Sequence, residues 1–169
     1  MINSTIMKRL ALPVIVGLAL APALFAADPA AGTWNLNVAK SKFTNSTAPK
    51  SGTMILQPSG NSLKVTYEEV APDGTKTAYE YAASFDDKDY PISGSGTNWR
   101  TNLVDDAENI AVRRAGTNSY SGLFKNAKGV VMTTRMAVSK NGKEMTVTTS
   151  GADARGGCCQ LKPLGMGLG

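Results

Sequence analysis

Two charged side chains sit where chemistry is possible. Glu69 shares a strand face with Leu63, Val65 and Tyr67, and Arg114 shares one with Ile110 and Val112. If both point inward, they form a buried pair or hold the polar end of a ligand; otherwise each lies at a strand end and reaches water along its own stem. Tyr67, Tyr79, Tyr81 and Phe85 form an aromatic set on neighbouring strands, which either packs as core or lines a cavity for one small molecule. The chain contains no histidine. This removes the usual general base near neutral pH and excludes Ser-His-Asp and Cys-His catalysis. Asp86, Asp87 and Asp89 lack the Gly and the late Glu of a calcium loop and read as a solvated turn. Asp105, Asp106 and Glu108 read the same way. The sequence therefore gives no catalytic residue, no metal ligand and no cofactor, and the expectation is a protein that is not an enzyme.

The elements that must position these residues are strands. Leu63–Val70 and Thr77–Phe85 alternate with the two-residue period of half-buried antiparallel strands. Met54–Gln57, Asp89–Ile92, Ile110–Arg114, Ser119–Lys125, Val130–Ser139 and Glu144–Thr149 read as further strands, with Pro91 restricting its own to an edge or rim. Turns follow at Pro58–Asn61, Ala71–Gly74 and Lys140–Lys143, the last holding an Asn-Gly pair. The polar stretch between Phe43 and Gly52 reads as a loop crossing one end. Residues 98–108 read as a long loop or, alternatively, a strand; as a loop they make Trp99 a lid. No segment shows a helical period. The expected fold is all-β, a single antiparallel up-and-down barrel of about 8–10 strands.

Residues 1–26 carry Lys8 and Arg9, then an apolar run of about a dozen residues, then a small residue at Ala26. That is the pattern of an export signal and too short to span a bilayer. The expected organisation is a signal peptide over 1–26, a barrel over 27–155 and an atypical, disordered Gly/Cys-rich tail over 156–169. A periplasmic or secreted location follows, with no membrane span in the mature chain. The formal charge of +5 includes Lys8 and Arg9. The remaining bases are scattered, so no nucleic-acid surface is indicated. The two cysteines, Cys158 and Cys159, are adjacent and poorly placed to bridge each other.

Several phrases taken together resemble a family of small exported bacterial proteins with a lipocalin-like barrel. They are Gly32-Thr33-Trp34-Asn35-Leu36-Asn37 with Ala39-Lys40-Ser41-Lys42-Phe43, then Lys88-Asp89-Tyr90-Pro91, Ile110-Ala111-Val112-Arg113-Arg114, and Val138-Ser139-Lys140-Asn141-Gly142-Lys143 with Met145-Thr146-Val147-Thr148. The resemblance runs from about Gly32 to Arg155. It implies a lipocalin-type barrel and no established reaction. It also implies one more alternating strand after Arg155, where this chain has its Gly-Cys-Cys tail. Without that strand, the first strand would be an unpaired edge. An end-plug of Trp34 under an arginine would follow from the lipocalin form. Arg135, on the less apolar face of its strand, or Arg114 would supply it.

Two functional readings follow. In the first, an exported barrel binds a small, largely apolar ligand through Tyr67, Glu69, Tyr79, Tyr81, Trp99 and Arg114. In the second, a solid-cored, non-enzymatic module of the cell envelope acts through its rim or edge. A monomer or weak homo-oligomer is expected in either case.

Overall fold

The computed structural model describes residues 28–44, 47–152 and 158–168. The expected export signal, most of the turn after Ala152 and the last residue lie outside these. Eleven strands form one antiparallel sheet: β1 Gly32–Leu36, β2 Ser51–Ser59, β3 Ser62–Val70, β4 Lys76–Ser84, β5 Tyr90–Pro91, β6 Ser93–Ser95, β7 Asn109–Gly116, β8 Ser119–Asn126, β9 Gly129–Val138, β10 Glu144–Ala152 and β11 Cys158–Leu168. Their order across the sheet is β5-β7-β8-β9-β10-β11-β1-β2-β3-β4-β6. One short helix, α1, spans Trp99–Val104. Among the described residues no helix is long and apolar enough to cross a membrane.

The alternation read from the sequence is the alternation of burial. Leu63, Val65 and Tyr67 on β3 and Tyr79, Tyr81 and Ala83 on β4 are buried, as are Met132, Met136 and Val138 on β9; on β7 Ile110, Ala111 and Val112 are all buried. The sheet curls until rings from distant strands meet. Tyr79 and Tyr81 of β4 stand edge-on to Phe124 of β8, with centroids 6.1 and 6.3 Å apart. The main turns use the expected residues, with Gly60, Gly74 and Gly142 at positive φ.

Four expectations are corrected. First, the hydrogen-bonded ladder is not closed into a barrel: among the described residues its end strands, β5 and β6, do not pair with each other. Both are two or three residues long, and Pro91 has no N–H to give to a neighbour. Second, Pro58 lies within β2 rather than in the turn after it. The pairing of β1 with β2 stops at Leu56, so the missing N–H at Pro58 breaks no bond there. Third, residues 99–104 are helical, neither loop nor strand. The helix is bracketed by Asn98, Asp105 and Asp106, all at positive φ, and six residues are too few to show a helical period.

Fourth, the tail is a strand. β11 pairs with β10 on one side and with β1 on the other, from Trp34 opposite Leu168 to Leu36 opposite Met166. β1 is therefore not an edge. Gly-rich composition hid this strand, because pairing from two sides overrides a weak intrinsic preference. The register against β10 slips between Val147–Leu164 and Thr149–Leu161, which sets Lys162 and Pro163 together opposite Thr148. This is a bulge, the place where a strand tolerates proline.

Candidate functional site

One end of the sheet is plugged. Trp34 is fully buried, and its Nε1 donates to the Ala30 carbonyl at 3.0 Å. That carbonyl belongs to a turn in which the Asp28 carboxylate accepts from the Ala30 N–H at 3.0 Å. Asp28 also accepts from the Arg114 guanidinium at 2.8 Å and from the Tyr120 hydroxyl. Arg114 lies over the rings of Phe85 and Tyr120, 5.1 and 5.0 Å from their centroids. Burial alone would raise the Asp28 carboxyl, but the Tyr120, Ala30 and Arg114 bonds outweigh it and hold the group below its ordinary range. Burial and the neighbouring Asp28 push the Tyr120 phenol upward. Of the two arginines offered for the end-plug, Arg135 points outward and is exposed, and Arg114 stacks on Phe85 and Tyr120 rather than over the Trp34 ring.

The other end opens on a cavity of about 360 Å³. That volume lies within the range of small-molecule sites. Its aromatic wall is Tyr67, Tyr79, Tyr81 and Phe124, and its flexible wall is Met54, Met132 and Met136. Phe43, Thr44, Thr47 and Pro49 border it from the stretch before β2, which crosses this end as expected. From α1 and its C-cap come Thr101, Asn102, Leu103 and Asp105.

The polar groups of the cavity are few. Glu69 accepts a hydrogen bond from the Tyr67 hydroxyl at 2.9 Å. Burial raises the Glu69 carboxyl, and the Tyr67 bond offsets part of that. Burial first, then the nearby Glu69, raises the phenols of Tyr67 and Tyr79. Thr149 on β10 has its Oγ1 buried with no hydrogen-bond partner among the described residues. Asp105 is raised by partial burial and by the adjacent Asp106.

Two glycines seat the helix. A Cβ at Gly94 on β6 would lie 2.3 Å from the Trp99 ring, and one at Gly151 on β10 would lie 2.3 Å from the Asp105 carboxylate. α1 therefore rests on bare backbone at both ends, on opposite sides of the sheet.

Of the six residues expected to meet a ligand, Tyr67, Glu69, Tyr79 and Tyr81 are brought together on the cavity wall. Trp99 and Arg114 are not. Trp99 faces Gly94 with the Arg100 guanidinium 5.3 Å over its ring, and α1 covers the mouth with other residues. Arg114 belongs to the plugged end, so it makes no pair with Glu69. Asp28, Tyr120, Phe124, Thr149 and Asp105 were missed as site residues. Phe124 follows from the alternation of β8, but Asp105 depends on a helix whose docking no local pattern announces. Asp86 accepts from the Lys88 N–H and the Tyr90 hydroxyl, as in a solvated turn. Compared with protein-family models and with curated proteins, the chain matches none.

Proposed function

We propose that the protein is an exported, lipocalin-like binding protein that holds one small, largely apolar molecule in the cavity at its open end, without acting on it chemically. The observation that carries this reading is the cavity of about 360 Å³ between the Tyr67, Tyr79, Tyr81 and Phe124 rings and three methionines. A fully packed core would leave no such volume. Methionines adapt their shape to what they enclose, and the unsatisfied Thr149 hydroxyl supplies one orienting hydrogen bond. The export pattern of residues 1–26 supports a periplasmic or secreted location, and the absence of histidine favours binding over catalysis.

The test is titration with N-phenyl-1-naphthylamine, a neutral probe that brightens in apolar surroundings. Saturable binding of about one probe per chain is expected, lost in Thr134→Phe, which fills the cavity from β9, while circular dichroism shows the fold retained. Absence of saturable binding to the parent protein would refute the reading.

A further inference from the structure

The charge of the cavity runs against the charge of the chain. The sequence holds 18 Lys and Arg against 13 Asp and Glu, yet the described cavity lining has two carboxylates, Glu69 and Asp105, and no base. Six ion pairs occur among the described residues, and their acids are Asp28, Glu80, Asp86, Asp89, Glu108 and Glu144. Neither cavity carboxylate is among them. The two stand on different walls. Glu69 projects from β3, oriented by the Tyr67 hydroxyl, and Asp105 lies against Gly151 of β10.

Asp105 caps α1 in the left-handed region at φ 50°, which a short polar side chain tolerates. Its carboxylate stands at the mouth of an apolar space with no ion-pair partner among the described residues. Tyr79 and Tyr81 line the same cavity as the two carboxylates. Carboxylates together with aromatic rings are surroundings that suit an ammonium group. An anion would instead meet two like charges.

We propose that the cavity takes a cationic amphiphile, an alkyl or aryl ammonium whose head lies between Glu69 and Asp105 and whose apolar part reaches Phe124 and the methionines. This rests on the cavity being a binding site, and it replaces a merely apolar ligand with a charged one.

Isothermal titration of the purified protein with octylamine, 1-octanol and octanoate at neutral pH tests it. Octylamine should bind about tenfold or more tighter than octanol, and octanoate should be weakest. In the double variant Glu69→Gln, Asp105→Asn the preference for the amine over octanol should fall to about twofold. Circular dichroism reports whether the variant is folded. If the variant does not fold, the parent protein's ranking of the three probes decides. Octanol binding as tightly as octylamine would overturn the cationic ligand and leave the cavity reading intact, as would an amine preference that survives in the double variant. Failure of all three to bind would overturn both.

Discussion

The two ends of the sheet use carboxylates in opposite ways. At the plugged end, Asp28 is met by Arg114, Tyr120 and the Ala30 N–H, and its charge holds the fold together. At the open end, Glu69 receives a single hydroxyl, and Asp105 has no ion-pair partner among the described residues. Their charges cost the fold something. The difference separates an end made for stability from one that gives up stability for a site, a division common where function is built on a rigid scaffold.

The largest effect should come from the plugged end. Trp34→Ala removes a fully buried ring and its bond to Ala30, and urea denaturation should show about 3–5 kcal/mol lost. An equal loss from a cavity-lining substitution such as Met136→Ala would break the comparison, because a wall that already borders a cavity has fewer contacts to lose.

Next comes Asp28→Ala, which leaves a guanidinium and a phenol without their acceptor. A loss of roughly 1–3 kcal/mol in the same measurement is expected, with probe binding unchanged. The pH dependence sharpens the contrast. The Asp28 carboxyl is lowered in the fold, so the stability it contributes is present above the ordinary aspartate value of 3.8 and is lost as pH falls through the lowered value. The Glu69 carboxyl is raised, so its contribution is present below 4.5 and lost as pH rises through the raised value. Tyr67 and Tyr79 face Glu69, and Arg114 and Tyr120 face Asp28; these bases and phenols keep their charge state across the acid range. Asp105 titrates in the same sense as Glu69, with Asp106 beside it. Stability measured against pH should therefore show a shallower acid-side fall in Asp28→Asn, the lowered Asp73 and Asp86 still contributing theirs, and should lose the opposing contribution of Glu69 in Glu69→Gln.

A smaller effect is expected at Gly151. Gly151→Ala puts a methyl group where the Asp105 carboxylate rests. The Asp105 side chain must turn away and the Val131 carbonyl, 2.8 Å from the added methyl, must give, at a cost of about 1–2 kcal/mol. Stopped-flow release of N-phenyl-1-naphthylamine should become faster. The smallest effect belongs to Arg135→Ala, on the outer face of β9. Its stability should change by less than about 0.5 kcal/mol, and probe binding should stay the same.

The strands of the interior were legible because each buries one face, and a two-residue period writes that face into the sequence. Tyr67, Glu69, Tyr79 and Tyr81 were found this way. What stayed hidden depends on contacts between distant segments. Arg114 reads as inward from its strand, but its partner Asp28 is 86 positions away, on a turn with no periodicity. The face of Arg135 reads as outward and it is outward; which arginine meets an aromatic ring is set by how the sheet curls. α1 is too short to declare itself, and its positions at positive φ are held by aspartates and an asparagine rather than glycine. β11 has neither alternation nor strand-forming composition. Its neighbours on both sides make it a strand.

That last strand bears on the timing of assembly. Trp34 meets Leu168, so this seam joins the two extremes of the sheet's sequence. The hairpins β2–β3–β4 and β7–β8–β9–β10 pair neighbours in sequence and can form early. The seam closes a long loop and must come late, which makes folding slow. Until residues 158–168 have emerged, the strands at Gly32–Leu36 and Glu144–Ala152 each show an open row of amides and carbonyls. A nascent chain at that stage is at its most prone to join another copy of itself.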